Sequence, residues 1–183
     1  MSDDTMISML RADGPDPDLA DRLATFGRFV GAWDIDGHAI AEDGTVTRFV
    51  GEWRFGWVLE GRGIQDVLAV RPAGAAPGQR SRGIGIGSTV RVYDPDRDAW
   101  LISWMGPSDG EFSTLFARES GDRIVLEGQW TAGRQWSGPG TERRFEWSFS
   151  EIASASFRWQ GRVSDDGGAT WRLAEEMFAT RRA

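Results

Sequence analysis

Apolar side chains recur at every second position over residues 33–180, and this period of two restricts the fold more than any other feature of the chain. Neighbouring side chains of a β-strand point to opposite faces, so the alternation predicts strands that each bury one face. The stretch GEWRFGW (51–57) places the rings of Trp53, Phe55 and Trp57 on one face of one strand. These rings either fill a core or line a cavity, and the sequence leaves both possibilities open.

The apolar runs are separated by turn signals such as Asp94-Pro95-Asp96, which divide the chain into about ten strands. The first strand begins at Trp33, and the others are predicted over 45–59, 62–71, 87–94, 99–105, 111–118, 123–130, 142–150, 155–163 and 170–180. Two Pro- and Gly-rich segments, 71–87 and 131–140, are expected to form loops at the rims. No segment has the pattern of a βαβ unit. Because closure removes exposed strand edges, we predict an all-β fold, a closed antiparallel up-and-down β-barrel with room for a ligand.

One helix is predicted before the strands. Asp16 is a suitable N-cap, and Pro17 occupies the first helical position. The apolar residues that follow have helical spacing, so we predict an amphipathic helix over 17–29 that caps one end of the barrel. Residues 1–15 are small and polar and are expected to be a flexible tail, which leaves 16–183 as a single domain.

The composition excludes several classes of function. The formal net charge of −7 argues against binding to nucleic acid and against docking on anionic lipid. The sequence has no Cys and no Lys, which excludes disulfides, thiolate metal ligands and Schiff-base chemistry. The N-terminal residues lack a basic region followed by an apolar run, and no apolar run approaches the ~18 residues of a membrane span. We therefore expect a cytoplasmic protein.

Gly31-x-Trp33 follows the predicted helix, and the chain ends in FATRR. This combination resembles the lipocalin and calycin barrels, in which Gly-x-Trp opens the first strand and an Arg of the last strand packs over the Trp ring. The resemblance implies that Arg181 or Arg182 makes this cation–π contact and closes one end of the barrel.

Four longer segments extend the resemblance: GEWRFGWVLEGRGIQDV, GSTVRVYDPDRDAW, DRIVLEG and GGATWRLAEEMFATRR. Together they resemble an uncharacterised bacterial family, a domain of unknown function with a lipocalin-like barrel related in fold to fatty-acid-binding proteins and nitrobindins. The resemblance covers roughly residues 26–182 and implies a buried pocket, but it implies no agreed activity. Nitrobindin-like proteins bind haem through a late histidine, whereas the only histidine here is His38. We therefore expect no haem or other cofactor, and a single histidine without cysteine predicts no metal site.

The segment SDDGGATW (164–171) resembles the Asp-box of sialidases, in which an Asp bonds turn amides and a Trp anchors the hairpin. Sialidases carry several such boxes together with an arginine triad and a catalytic tyrosine. This chain has one box, and its one tyrosine, Tyr93, lies elsewhere. We interpret the segment as a hairpin.

We predict that the lumen binds a small, largely apolar ligand, with aromatic walls and Arg91 as the polar anchor. A buried arginine needs a carboxylate partner, so Arg91 is expected to pair with Asp66 or with a late glutamate. The alternation does not decide which member of the pairs Gln65/Asp66 and Glu175/Glu176 faces inward. The candidate ligand-binding residues are Trp53, Phe55, Trp57, Asp66, Arg91, Tyr93, Trp100, Trp104, Trp147, Trp159 and Glu175.

Two other functions are compatible with the sequence. The first is a cofactor-independent enzyme of the isomerase, cyclase or hydratase type, with Asp66 or Glu175 as general base and Arg91 beside it. The second is a fully packed barrel that acts through its surface, for example as a homodimer. A lumen larger than a few waters would count against the packed barrel. Full pairing of both carboxylates would favour binding over catalysis.

Overall fold

The computed structural model describes residues 5–76, 85–108, 110–132 and 143–182. Two short α-helices, α1 (Met6–Leu10) and α2 (Ala20–Gly27), precede the strands, and a 3-10 turn over Pro17–Leu19 leads into α2. The strands of the described chain are β1 Gly31–Ile40, β2 Val46–Val58, β3 Gly63–Pro72, β4 Ile86–Asp94, β5 Ala99–Gly106, β6 Glu111–Ser120, β7 Arg123–Ala132, β8 Arg144–Ser150, β9 Ser156–Ser164 and β10 Arg172–Arg181. In this part of the chain no helix has the length and apolar character that would let it span a membrane.

Each strand pairs antiparallel with the next one along the chain, and β1 pairs with β10, so the sheet closes on itself. The predicted all-β, closed up-and-down barrel of ten strands is confirmed. Because every strand has two neighbours, the barrel has no exposed edge. Of the loops predicted over 71–87 and 131–140, residues 77–84 and 133–140 lie outside the described residues.

The alternation of side chains decides which residues face the lumen. On β2 the side chains of Phe49, Trp53 and Phe55 are buried, whereas Arg54 between the last two is exposed. The register of β1 against β2 places Trp33 directly opposite Trp53. Buried side chains from neighbouring strands therefore meet inside the barrel and form a single core.

Helix α2 closes one end of the barrel. Leu23 and Phe26 of the helix are fully buried, and Phe29 follows them inward. The ring of Phe29 lies with its centroid 4.8 Å from the rings of both Phe149 and Phe157. This end is therefore filled by aromatic side chains, and the predicted capping helix is confirmed.

Contacts between the Gly-x-Trp motif and the last strand hold together the same end of the barrel that α2 covers. The guanidinium of Arg181 lies 4.1 Å from the centroid of the Trp33 ring, so the predicted cation–π contact is made by Arg181. Arg181 also donates to the carbonyl oxygens of Arg28 at 2.7 Å and Val30 at 2.9 Å. Gly31 has a φ of +132°, and a Cβ there would lie 2.7 Å from Nη1 of Arg181. Only glycine fits this position.

The N-terminal segment contains a helix that the sequence pattern did not predict. Helix α1 has five residues and buries none of them, so it is too short for a helical period to show in the sequence. The following residues run beside the barrel: the amide of Ala12 donates to the carbonyl of Trp57 at 2.9 Å, and the amide of Leu59 donates to the carbonyl of Leu10 at 2.9 Å.

The segment SDDGGATW forms a turn between β9 and β10. Asp166 accepts hydrogen bonds from the amide of Thr170 at 2.8 Å and from its hydroxyl at 2.6 Å. Trp171 donates from its indole nitrogen to the carbonyl of Gly168 at 3.0 Å. The bonds from Thr170 lower the pKa of Asp166 to about 2, because they stabilise the charged carboxylate. The hairpin interpretation of this segment agrees with these contacts.

Candidate functional site in the barrel lumen

The half of the lumen that lies away from α2 is hollow. A cavity of about 190 Å³ extends inward to Trp53 and Arg91. A second cavity of about 170 Å³ reaches Phe49 and Val70 on the opposite wall. The two cavities adjoin, since both are lined by Leu68, Trp104, Glu111 and Glu175. Among the described residues the lumen is thus filled at one end and hollow at the other.

Four tryptophans form one side of the larger cavity. The ring centroids of Trp104 and Trp147 lie 6.0 Å apart, those of Trp147 and Trp159 lie 5.5 Å apart, and those of Trp159 and Trp53 lie 6.4 Å apart. The tilted and edge-on angles between these rings are those that aromatic pairs favour. Each ring therefore supports the next, and the wall is pre-formed.

Two glycines make room for these rings: Gly87 on β4, the strand next to that of Trp104, and Gly161 on β9, the same strand as Trp159. A Cβ at Gly87 would lie 2.1 Å from the ring of Trp104, so this indole lies directly over the backbone of β4. A Cβ at Gly161 would lie 2.9 Å from the ring of Trp159. Any larger residue at these positions would push the tryptophans into the cavity.

Asp66 and Arg91 form an ion pair at the inner end of the cavity. Both face the lumen from the neighbouring strands β3 and β4, and each is only 1% exposed. Nη1 of Arg91 donates to Oδ2 of Asp66, and the guanidinium lies 5.1 Å and 5.4 Å from the ring centroids of Phe26 and Phe55. Oδ1 of Asp66 and Nε of Arg91 have no hydrogen-bond partner in the described part of the chain. The pair is neutral overall, but it retains one acceptor and one donor.

Glu175 faces the cavity, and Glu176 faces outward. The register of β10 shifts between Leu173 and Glu175, and Glu175 lies opposite Gly161 of β9. Within residues 5–76, 85–108, 110–132 and 143–182, Glu175 makes no hydrogen bond or ion pair. Burial, with a smaller effect from the negative charge of Glu111, raises the pKa of Glu175 to about 7.

The outward-facing Glu176 has a full set of partners. Its carboxylate accepts from Nε of Arg158 at 2.7 Å and from the amide of Gln160 at 2.8 Å. His38, on the same outer surface, lies 3.8 Å away through Nε2. The two adjacent glutamates thus occupy opposite environments: Glu175 lies in the lumen without a partner among the described residues, and Glu176 is bonded on the outside.

No family model and no curated protein matches this sequence. Two solved structures resemble the barrel over most of its length. Rv2717c from M. tuberculosis covers 92% of this chain and 99% of its own, with 14% identity and a TM-score of 0.62. The S-type phycobiliprotein lyase CPES from Guillardia theta covers 87% of this chain and 92% of its own, with 10% identity and a TM-score of 0.57. The fold is that of a lipocalin-like barrel. At these identities the likeness concerns the fold alone.

Six of the sequence-derived candidates line the lipocalin-like cavity: Trp53, Arg91, Trp104, Trp147, Trp159 and Glu175. Asp66 lies just behind this surface, where it is bonded to Arg91. The larger cavity also involves residues that the sequence did not single out, namely Leu68, Glu111, Phe145, Arg162, Val163, Ala174 and Met177. Glu111 shares the inner face of β6 with the buried Ser113 and Leu115. The sequence did not indicate this face, because Phe112 and Phe116 lie on the opposite one and are exposed.

The other four candidates lie at the packed end of the barrel. Phe55 packs against Trp53 with ring centroids 4.9 Å apart, and the Trp57 ring lies against Gly27 of α2. Trp100 makes an edge contact with Phe26 at 4.9 Å. Tyr93 donates from its hydroxyl to Asp98 at 2.7 Å, near the surface. These side chains face inward by strand parity, but α2 and its neighbours fill the space in front of them.

No cluster of three or more His, Asp or Glu side chains suited to a metal ion is found among the described residues. The groups that line this site are an aromatic wall, an ion pair without net charge and a carboxyl group, that of Glu175, which has no partner among the described residues.

Proposed function

We propose that this protein binds a small, largely apolar ligand in the open half of its barrel. The observation that carries the proposal is the pair of adjoining cavities beside the wall of Trp53, Trp104, Trp147 and Trp159. Together the cavities reach about the lower end of the range of small-molecule pockets, roughly 300–1,000 Å³. A lumen of this size exceeds a few waters, so a barrel that acts only through its surface is not favoured.

Polar groups at the inner end support a ligand that carries an oxygen atom. The indole nitrogen of Trp53 and Nε of Arg91 are buried donors without a hydrogen-bond partner in the described chain. Buried donors without partners are costly, and a carbonyl or hydroxyl oxygen would satisfy them. Because Asp66 neutralises Arg91, this end provides hydrogen bonds without a net positive charge.

The test is to fill the cavity from a position that tolerates bulk. Ala174 lines the larger cavity, and Ala174→Phe would place a ring in it. Ala69→Phe is the matched control, since Ala69 is exposed on the outer face of β3. We expect a solvatochromic naphthalene dye to bind the wild type and the control alike, and to bind Ala174→Phe at least about tenfold more weakly. Equal binding to all three proteins would contradict the proposal.

A second function, that of a cofactor-independent acid–base enzyme, is supported by Glu175. An unpaired carboxyl group with a pKa of about 7 in an apolar cavity is suited to taking a proton from carbon beside a carbonyl group. Asp66 is less suited to this role, because its carboxylate forms an ion pair with Arg91. A phycobiliprotein lyase has the same fold, so the barrel is compatible with an enzyme.

The enzymatic role has a direct test. Small carbonyl compounds would be incubated with the protein in deuterium oxide, and proton exchange at the adjacent carbon would be followed by NMR. Exchange that Glu175→Gln abolishes would support catalysis. Exchange at the same rate in both proteins would assign it to the solvent or the surface.

Four further expectations stay predictions. They are membership of the bacterial family, a cytoplasmic location, the absence of nucleic-acid and membrane partners, and a possible homodimer. Cell fractionation tests the location, and light scattering on the purified protein tests the dimer.

A further inference from the structure

The charged groups around the cavity differ in whether a side chain of opposite charge lies beside them. In the described part of the chain the charged residues at the two cavities are Arg91, Glu111, Arg162 and Glu175, of which Arg162 has the outward parity of β9. Arg91 is paired with Asp66, as described above. Arg162 has Nη1 4.0 Å from the carboxylate of Glu146. Glu175 has no such partner among the described residues.

The surroundings of Glu175 are aromatic. Trp104, Trp147 and Trp159 line the same cavity as Glu175, and the face of an indole ring carries partial negative charge. A carboxyl group beside indole rings in a partly dry cavity attracts a cation through both ion pairing and cation–π contacts. The same surroundings repel a carboxylate ligand.

The polar groups at the inner end of the cavity indicate how the groups of a ligand would be arranged along it. Nε1 of Trp53 and Nε of Arg91 are donors on side chains that are 3% and 1% exposed, both line the cavity, and neither has a hydrogen-bond partner among the described residues. These donors lie at the opposite end of the cavity from the rim, where Glu175 also lines the second cavity with Ser108 and Glu111. The cavity thus offers a negative group towards its mouth, rings in the middle and donors at its inner end.

We propose that the ligand is an amine that is positively charged, with its ammonium group between Glu175 and the tryptophans and its apolar body directed inward. An oxygen atom at the inner end would complete the match by accepting from Trp53 and Arg91. This inference rests on the proposed binding function and names the class of ligand. The net charge of −7 assists it, since a negative protein attracts cations over a distance.

The experiment compares three probes of the same size and different charge: phenylpropylamine, phenylpropanol and phenylpropionate. Binding is measured by calorimetry at about pH 8.5, where a carboxyl group with a pKa of about 7 is ionised. We expect the amine to bind at least about tenfold more tightly than the alcohol, and the carboxylate to bind most weakly.

Two variants assign the preference to one side chain. Glu175→Gln keeps the size of the side chain and removes its charge, so the amine should lose at least about tenfold in affinity while the alcohol changes by less than about twofold. Glu176→Gln is the matched control on the outer face, and the amine should bind it as it binds the wild type.

Each outcome decides between the proposals. If the alcohol binds but the amine gains nothing, or if Glu175→Gln keeps the preference for the amine, the inference is overturned and the binding function stands. If phenylpropionate binds best, Arg91 is the anchor and the inference is again overturned. If none of the three probes binds, the failure extends to the proposed binding function.

Discussion

Replacement of Glu175 by glutamine should make the protein more stable at alkaline pH. In the folded protein burial raises the pKa of Glu175 to about 7, from a value of 4.5 for an unperturbed glutamate. The folded state therefore holds a proton that the unfolded state releases, and stability contributed by this group is lost as the pH rises through this interval. Glutamine carries no charge at any pH and avoids this loss.

The size of the effect follows from the two pKa values. The interval from 4.5 to about 7 corresponds to roughly 3 kcal/mol as an upper bound. Glu175 is only half-buried, so solvent screening reduces this figure, and about 2 kcal/mol is expected. The full difference should be present above about pH 7.5, and at about pH 4.5 it should fall below about 0.5 kcal/mol.

Urea denaturation followed by tryptophan fluorescence measures this difference at about pH 4.5 and about pH 8.5. Glu176→Gln is the control: it replaces the charged acceptor of Arg158 and Gln160 by a neutral amide oxygen and weakens these bonds, so it should destabilise the protein at the alkaline pH. If Glu175→Gln shifted stability equally at both pH values, or lowered it only at the alkaline pH, the carboxyl group would not be an unpaired group in the lumen.

Three further substitutions probe the fold. Asp66→Asn leaves Arg91 buried without a counter-charge and should cost about 3–5 kcal/mol in urea denaturation, whereas Asp66→Leu combined with Arg91→Met should cost less than this single change. Arg181→Ala removes the contact with the Trp33 ring together with hydrogen bonds to backbone carbonyls, and a loss of about 2–3 kcal/mol is expected; a loss below about 0.5 kcal/mol would show that the contact does not hold this end closed. Asp166→Ala should remove the protection of the turn amides, so that their hydrogen exchange becomes faster. In the wild type the same protection should be lost as the pH falls towards about 2, because protonation removes the charged acceptor. Unchanged exchange in the variant would contradict the role given to Asp166.

The hollow half of the barrel was not readable from the sequence. Trp53 and Phe55 have the same strand parity and the same chemistry, yet Trp53 borders the cavity and Phe55 lies in the packed end. Their difference comes from α2, whose Leu23 and Phe26 fill the space on one side only. The alternation of a strand predicts that a side chain points into the lumen, but it does not predict which other side chains fill the space opposite it.

The orientation of Glu175 required the structure for a different reason. The segment Met177–Phe178–Ala179 is apolar at every position, so its pattern does not show which alternate side chains face the lumen. In the structure Phe178, in the middle of the segment, is 46% exposed. On the outside Arg158 covers the Phe178 ring at 5.6 Å, which lets this strand carry an apolar residue on its solvent face. The irregularity between Leu173 and Glu175 adds a second source of ambiguity, because a bulge reverses the parity of the residues before it.

The sequence by itself predicted the strands and the closure of the barrel, because a period of two and turn residues are local signals and closure removes exposed strand edges. The contact between Trp33 and an arginine of the last strand was implied only by the resemblance to lipocalins, and the structure decided for Arg181 over Arg182. The tertiary structure alone decided that, among the described residues, one half of the lumen is left unfilled and Glu175 faces it without a partner. Filling and pairing depend on the volumes and charges of residues that are distant along the chain, and such residues meet only when the barrel closes.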